Sequence, residues 1–235
     1  MNKAELDLRK GIIDACRAMN SLGVNQGTSG NISARFADRM LVTPTSVPYD
    51  ELTPEDIAAT PIKGDGTDWK GPLQPSSEWR FHLGILQDRP EVNAVVHTHS
   101  VYATVLAICN KPIPAVHYMV AAAGGPDIRV ARYATFGTEE LSQNALEALK
   151  GRSACLLGNH GVIATGSNVK RALWLAVEVE TLARQYYLSL AIEGARILPD
   201  DEVMRVKEKM KNYGHKAKPA APARTLRKMP RKKRV

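Results

Sequence analysis

The sequence predicts an α/β protein whose central sheet is largely antiparallel and is covered by helices. Strand-like and helical patterns alternate along the chain, and turn signals such as Gly64-Asp65-Gly66 are frequent between them. With 235 residues, 44% of them hydrophobic and 24% charged, the chain is long enough to bury one substantial core. We therefore expect one folded domain over residues 1–215, followed by a basic tail over residues 216–235.

Apolar spacing and turn residues locate the individual elements. In the first segment Leu8, Ile12 and Cys16 recur at helical spacing, and Gly23 suits the end of a helix. Helices are predicted over residues 4–22, from a serine cap at 76–77 to about 87, and over 100–108, 139–150, 168–192 and 202–212. Strands are predicted over residues 32–35, 41–43, 92–99, 154–157 and 162–165.

The excess positive charge belongs to the C-terminal tail. The chain has 32 basic and 24 acidic residues, and eight of the basic residues lie within residues 217–235, which contain no acidic residue. The other 24 basic residues balance the 24 acidic ones, so no basic face for nucleic acid is predicted on the folded part. The tail is interpreted as a solvated extension. Weak binding to polyanions and contact with a neighbouring subunit are the alternatives.

Composition and cysteine usage predict a cytoplasmic protein. No apolar run approaches the ~20 residues needed to span a bilayer, and the first residues mix acids with bases, unlike a secretory signal. Cys16, Cys109 and Cys155 are far apart and lie among largely apolar residues. They predict reduced core thiols, without a disulfide framework or a cysteine-based metal site.

Three histidines are candidate metal ligands. His97 and His99 end a predicted strand, and residues two apart on a strand share a face, so both rings can point at one ion. His160 lies in a glycine-flanked turn between two predicted strands; nitrogen ligands suit zinc, and three of them leave one position for substrate. Hydrogen-bonded core histidines and a turn-stabilising histidine are the alternatives, since spacing alone does not bring His160 to the pair. His82, within a helix, is interpreted as structural.

Several separated motifs resemble those of one family. They lie in order at residues 75–82 (PSSEWRFH), 94–99 (AVVHTH), 113–118 (IPAVHY), 133–138 (YATFGT) and 159–161 (NHG). Over about residues 1–215 the chain resembles the class II aldolase/adducin family. The resemblance implies a three-layer αβα fold and a homotetramer with active sites at subunit interfaces.

The resemblance also assigns roles to individual residues. The Zn²⁺ ligands that it implies are His97, His99 and His160. It makes Glu78 a catalytic carboxylate that can also touch the metal, and it places Tyr118 and Tyr213 on the aldehyde side of the pocket. From the residues alone, the preferred interpretation of Glu78 is an acid at a helix N-terminus, where the helix dipole favours negative charge, and both roles are compatible.

A phosphate pocket is implied at two turns and a helix start. Glycine-rich turns and helix N-termini present backbone N–H groups to anions, although each residue type is also ordinary in a turn. The residues that the resemblance assigns to this pocket are Gly30, Asn31, Thr45, Ser46, Ser76 and Ser77. Two positions depart from the family pattern: Ser46 replaces a usual glycine, and Met210 replaces a phenylalanine of the aldehyde wall. They leave the identity of the sugar phosphate open.

Retro-aldol cleavage is the reaction that the resemblance implies. A metal ion stabilises the developing oxyanion, and an adjacent carboxylate moves the proton on the carbon that becomes nucleophilic. The expected substrate is L-fuculose 1-phosphate or a related 5-deoxy- or methylthio-pentulose 1-phosphate, which gives dihydroxyacetone phosphate and a small aldehyde. The alternatives are a pentulose-phosphate 4-epimerase, which usually has aspartate where this chain has Glu78, a sugar-phosphate dehydratase, and a non-catalytic adducin-like binding protein.

Deletion of residues 217–235 is expected to leave catalysis largely intact, because every motif of the resemblance precedes them. Turnover of the truncated and full-length proteins measures the effect. A collapse of activity in the truncated protein would contradict the interpretation of the tail as a solvated extension.

Overall fold

The computed structural model describes residues 1–192 and 194–211. Its helices are α1 (Lys3–Ser21), α2 (Trp79–Asp88), α3 (Val101–Ile108), α4 (Glu139–Ala148), α5 (Val169–Ser189) and α6 (Asp200–Lys211). Its strands are β1 (Asn31–Phe36), β2 (Arg39–Val42), β3 (Ala58–Pro61), β4 (Ala94–Thr98), β5 (Ile113–Pro114), β6 (Asp127–Ile128), β7 (Val130–Ala131), β8 (Ala154–Leu157) and β9 (Gly161–Gly166). Short 3₁₀ helices cover Pro54–Asp56 and Tyr118–Ala123.

A seven-stranded sheet in the order β3-β2-β1-β4-β9-β8-β7 forms the middle layer. Its neighbours pair antiparallel except β7 and β8, which pair parallel. A separate two-stranded sheet consists of β5 and β6. The largely antiparallel sheet predicted from the sequence is confirmed.

Two apolar cores separate the sheet from its helices. On one side, residues of α1, α3, α5 and α6, such as Ile12, Leu106 and Val179, pack against the sheet. On the other side, α2 and α4 contribute residues such as Ile85 and Leu141. Because both faces of the sheet are covered, its central strands are buried on both sides. The three-layer αβα fold implied by the resemblance is confirmed.

Strand β4 lies at the centre of the sheet and carries the first candidate ligand. On one side it pairs with β1, where Asn31 is opposite His97, and on the other with β9, where Ile163 is opposite His97. Strands β8 and β9 form a hairpin with His160 in its turn. Since β9 is the neighbour of β4, this turn brings His160 back to the end of β4.

Two differences from the sequence-based boundaries affect the site. Strand β4 is shorter than residues 92–99, so His99 lies just beyond its end. The predicted serine cap of α2 is wrong: the N-cap residue is Glu78, and the Ser76 hydroxyl accepts a hydrogen bond from the Glu78 N–H at 3.3 Å instead. The helix therefore starts after the serines, and its start lies directly at the carboxylate.

The expected burial of the cysteines is confirmed for two of the three. Cys16 and Cys155 are buried, but the expectation of a core thiol is wrong for Cys109, which is exposed. Cys109 is the C-cap of α3, where the chain leaves the helix toward solvent.

None of the helices within the described ranges combines the length and apolar character that a membrane crossing requires. The predicted tail, residues 216–235, lies outside the described residues.

Candidate active site

The three candidate ligands converge at one end of the sheet. His97 is fully buried in β4, His99 follows the strand, and His160 comes from the β8–β9 turn. The ring centroids lie 4.8 Å apart for His97–His99 and for His97–His160, and 5.0 Å apart for His99–His160. One ligand atom from each ring lies within 4.8 Å of the others, a spacing that one metal ion can bridge.

Glu78 places a carboxylate against these histidines. Its Oε2 lies 3.2 Å from His97 Nε2, and its Oε1 lies 3.1 Å from His160 Nε2. Within the described part of the chain, the buried Oε1 accepts no hydrogen bond. Such an oxygen costs free energy unless a donor or a cation satisfies it. Glu78 is therefore both an acid at the start of α2 and a member of the group that we call the His–Glu cluster: His97, His99, His160 and Glu78.

A hydrogen bond to the sheet fixes the ring of His97. Its Nδ1 lies 2.9 Å from the carbonyl oxygen of Val162, which can only accept, so Nδ1 carries a hydrogen. Nε2 therefore faces the cluster, where His99 Nε2 lies 3.0 Å away. Backbone carbonyls commonly orient metal-binding histidines in this way.

The buried surroundings favour the protonation states that bind metals. Burial alone would raise the pKa of Glu78, but the neighbouring His97 and His160 hold it well below its usual range. Burial, together with His97 and His160, lowers the pKa of His99 to about 4. An ionised carboxylate beside neutral imidazoles is the form in which these groups bind a cation. The residues present therefore fit a divalent metal ion.

Two glycines permit the close approach of backbone to the cluster. A Cβ atom at Gly161 would lie 2.4 Å from the Thr98 carbonyl oxygen and 2.9 Å from His99 Cδ2. A Cβ atom at Gly30 would lie 2.6 Å from the His97 carbonyl oxygen. Any side chain at these positions would push the turn or the loop away from β4.

Two further residues, which the sequence analysis did not single out, hold the loop before β1. The Tyr49 hydroxyl donates to the Gly30 carbonyl at 2.5 Å and accepts from Asn25 Nδ2 at 3.3 Å. Asn25 Oδ1 accepts from the His99 N–H at 3.4 Å. These contacts join residues 19 to 74 positions apart, so no local pattern marks them.

A cleft of about 340 Å³ opens beside the cluster. The residues that line it are Ser29, Ser77, Glu78, His99, Tyr133, Ala134, Phe136, Asn159 and His160. Tyr133 and Phe136 are 61% and 64% exposed, which gives the cleft an apolar wall facing its polar side. Both belong to the motif at residues 133–138, to which the sequence analysis assigned no role in the site.

The residues assigned to phosphate lie on neighbouring segments. Ser77 lines the cleft. The Ser76 N–H donates to the Thr43 carbonyl at 2.9 Å, which ties the start of α2 to the turn after β2. In that turn Thr45 and Ser46 are exposed, and their hydroxyl oxygens lie 3.4 Å apart. The structure therefore brings the second turn and the helix start together.

Ser46 and Asn31 have features that the sequence did not indicate. Ser46 has a φ of 58°, in the left-handed region that favours glycine, which explains why glycine suits this position. The Asn31 side chain donates from Nδ2 to Glu78 Oε2 at 2.9 Å, and its Oδ1 lies 2.5 Å from His82 Nε2. Because an amide nitrogen carries two hydrogens, Asn31 retains one N–H for a ligand.

Two of the three expected aldehyde-side residues, Tyr118 and Met210, do not line the cleft formed by the described residues. Tyr118 is 51% exposed, its ring lies 4.6 Å from that of His117, and it does not line the cleft formed by the described residues. Met210, on α6, packs against the core on the side of α1 and α5. Tyr213 lies outside the described residues.

Comparison with known proteins decides the family. Residues 10–187 match the family described as Class II Aldolase and Adducin N-terminal domain. The chain belongs to the class II aldolase and adducin family. The matched residues include the whole His–Glu cluster.

Relatives of this family member cover nearly the whole chain. A 5-methylthioribulose-1-phosphate/5-deoxyribulose-1-phosphate aldolase of Rhodospirillum rubrum is 54% identical over 224 residues, which are 95% of this chain and 100% of that protein. An L-fuculose phosphate aldolase of Escherichia coli K12 is 53% identical over 208 residues, 88% of this chain and 95% of that protein. A solved L-fuculose 1-phosphate aldolase, 39% identical, has a TM-score of 0.84 and covers 87% of this chain and 96% of its own. The chain is therefore a lyase of the aldolase type.

Replacing Gly161 by alanine is expected to weaken metal binding by about 10-fold or more, because the new Cβ displaces the His99 ring. Competition with a chromophoric chelator measures the affinity. Gly11→Ala is the control, since a Cβ there meets nothing within 4 Å and adds helix propensity to α1. Equal metal affinity in both variants would contradict the packing of the turn against His99.

Proposed function

We propose that the chain is a zinc-dependent class II aldolase that cleaves a ketose 1-phosphate to dihydroxyacetone phosphate and a small aldehyde. The substrates that we propose are L-fuculose 1-phosphate and the related 5-deoxy- and methylthio-pentulose 1-phosphates. The observation that carries the proposal is the convergence of three histidines and Glu78 beside a cleft. The names of the relatives support the substrate class.

Zinc is the metal that the donor set favours. Three imidazole nitrogens with one position left for substrate are typical of catalytic zinc sites. Held by His97, His99 and His160, zinc would supply Lewis-acid stabilisation of the negative charge that develops on the substrate oxygens. The remaining steps belong to the side chains of the protein.

Glu78 is the group that we assign to the proton on carbon. In the cleavage direction the bond between C3 and C4 breaks, its electron pair stays on C3, and the C4 hydroxyl loses its proton to become the aldehyde. C3 must then receive a proton, and in the synthesis direction it must lose one. Glu78 lines the cleft beside the histidines, so its carboxylate is the group that we assign to this proton.

The C4 hydroxyl at the other end of the breaking bond needs a second group. We assign this proton to a tyrosine, Tyr213 or Tyr118, as the family resemblance implies. Tyr118 lies outside the cleft of its own chain, which supports an active site completed by a neighbouring subunit of a homotetramer. Residues 1–215 are then the catalytic domain, and the buried thiols of Cys16 and Cys155 agree with a cytoplasmic enzyme.

The phosphate group is assigned to the segments around Asn31, the turn after β2 and the start of α2. The proposed contacts are Gly30, Asn31, Thr45, Ser46, Ser76 and Ser77. Their convergence is supported by the Ser76–Thr43 backbone hydrogen bond and by the position of Ser77 in the cleft. Backbone N–H groups at turns and helix starts suit a phosphate dianion.

Glu78→Gln is expected to retain zinc and dihydroxyacetone phosphate binding but to lower kcat by about 100-fold or more, because the amide cannot carry the proton. Steady-state kinetics, zinc analysis and calorimetry measure these quantities. The matched control is Glu140→Gln, which changes an exposed glutamate in the first turn of α4. An unchanged kcat in Glu78→Gln would remove Glu78 from the mechanism.

A panel of ketose 1-phosphates and 5-phosphates tests the reaction itself. We expect release of dihydroxyacetone phosphate from 1-phosphates only, its loss on treatment with a chelator and its recovery with zinc. His97→Ala is expected to bind less than stoichiometric zinc. Epimerised or dehydrated products without dihydroxyacetone phosphate would overturn the aldolase assignment, and chelator-resistant turnover would overturn the role of the metal.

A further inference from the structure

A buried series of polar side chains leads from β1 to Glu78. His82, on α2, is fully buried, and both of its ring nitrogens have partners: Nδ1 lies 2.8 Å from Ser33 Oγ, and Nε2 lies 2.5 Å from Asn31 Oδ1. Asn31 in turn donates from Nδ2 to Glu78 Oε2 at 2.9 Å. Ser33 is 0% exposed and Asn31 only 5%, so water does not compete for these hydrogen bonds. We call these four residues the polar relay.

Strand and helix periodicity explain how the relay assembles. Asn31 and Ser33 are two residues apart on β1, so they share a face of the strand. Glu78 and His82 are four residues apart at the start of α2, about one helical turn. The two pairs therefore face each other, and Asn31 contacts both members of the helix pair.

The hydrogen bonds of the relay run in one direction. The Glu78 carboxylate accepts, so the Asn31 amide turns Nδ2 toward it and Oδ1 toward His82. Because Oδ1 also accepts, His82 carries its hydrogen on Nε2, and its Nδ1 accepts from the Ser33 hydroxyl. Burial and the nearby His97 lower the pKa of His82 to about 3, which agrees with this neutral ring. A flipped Asn31 amide would set two acceptor oxygens against each other.

The relay ends on one of the two carboxylate oxygens of Glu78. Asn31 holds Oε2, whereas Oε1 accepts no hydrogen bond among the residues described. The Asn31 amide therefore holds Oε2 by a hydrogen bond, and His82 fixes the orientation of that amide. A histidine with a purely structural role would form its own hydrogen bonds without affecting the orientation of the Glu78 carboxylate.

We propose that His82 is a positioning residue for Glu78 and acts through the Asn31 amide. The inference rests on the proposed function, in which Glu78 carries the proton at C3. With His82 in place, the carboxylate is held in one orientation before substrate binds. Without the Nε2 donor, the Asn31 amide is free to turn, and Glu78 loses the hydrogen bond that orients it.

The tautomer of His82 tests the relay without any measurement of activity. Nitrogen-15 NMR of the wild-type protein with labelled histidine distinguishes the two neutral tautomers, and His82→Gln identifies the signal by its loss. We expect the hydrogen on Nε2, with the ring neutral at pH 7. A neutral ring with its hydrogen on Nδ1 would overturn the proposal, because Nε2 could then not donate to the Asn31 amide oxygen.

Kinetics of the zinc-loaded enzyme test the consequence for catalysis. His82→Leu is expected to lower kcat by about 10- to 100-fold, as replacement of residues behind an active-site group commonly does, with little change in KM or in zinc content. His82→Gln keeps a donor near the position of Nε2 and is expected to keep most of kcat. In an Asn31→Ala background, His82→Leu is expected to change kcat by less than about 2-fold, because the residue through which it acts is gone.

The control separates positioning from a loss of stability. Ile85→Ala removes a fully buried side chain from the same helix and is expected to lower the melting temperature while kcat is unchanged. A wild-type kcat in His82→Leu, or an undiminished loss in the Asn31→Ala background, would overturn the proposal. If His82→Leu does not fold, the kcat of His82→Gln and the tautomer of His82 in the wild-type protein still test the positioning role of His82.

Failure of the proposed function has a different signature. Wild-type protein that releases no dihydroxyacetone phosphate from any ketose phosphate would refute the aldolase reaction. In that event the tautomer of His82 still supports or refutes the relay.

Discussion

The hydrogen bond from His97 Nδ1–H to the Val162 carbonyl connects the sheet to the His–Glu cluster. It forms across the β4–β9 pairing, so the orientation of the His97 ring is set by strand register rather than by a ligand. Val162 also follows the turn that carries His160, so one hairpin supplies one candidate ligand and orients another. On the opposite side of β4, β1 places Asn31 opposite His97 and in contact with Glu78. A shift of one residue in the pairing register of β4 would place the His97 side chain on the opposite face of the sheet. His97 would then be separated from the other members of the His–Glu cluster.

Burial makes this arrangement costly unless a cation is bound. An ionised Glu78 places negative charge where water has little access, and a buried charge is costly unless it is paired. A divalent ion held by the three histidines would offset that charge. Gly30 and Gly161 allow the backbone of the neighbouring segments to approach β4 closely beside the cluster. The backbone packing, the charge of Glu78 and the proposed metal site therefore all depend on one arrangement of the four side chains of the His–Glu cluster.

Local signals in the sequence predicted the six helices and five of the nine strands of the described residues, and they marked the first two candidate ligands. Helical spacing, turn residues and the alternation of His97 and His99 act within a few residues, and the predicted elements follow them closely. His160 comes close to His97 and His99 only through strand pairing between distant segments. Spacing in the sequence therefore did not establish it as a ligand, and only the family resemblance implied that role. The hydrogen bond between Asn31 and His82 joins residues 51 positions apart, which is why His82 was interpreted as a structural histidine. Contacts with a neighbouring subunit are equally invisible to patterns within one chain.

X-ray absorption at the zinc edge of the reconstituted protein tests the central claim most directly. The account predicts one zinc ion per chain, bound by three imidazole nitrogens at about 2.0–2.1 Å, with one of the three lost in His160→Ala. Zinc bound by fewer than three imidazoles in the wild-type protein, by the sulfur of Cys109, or unchanged in His160→Ala would contradict it.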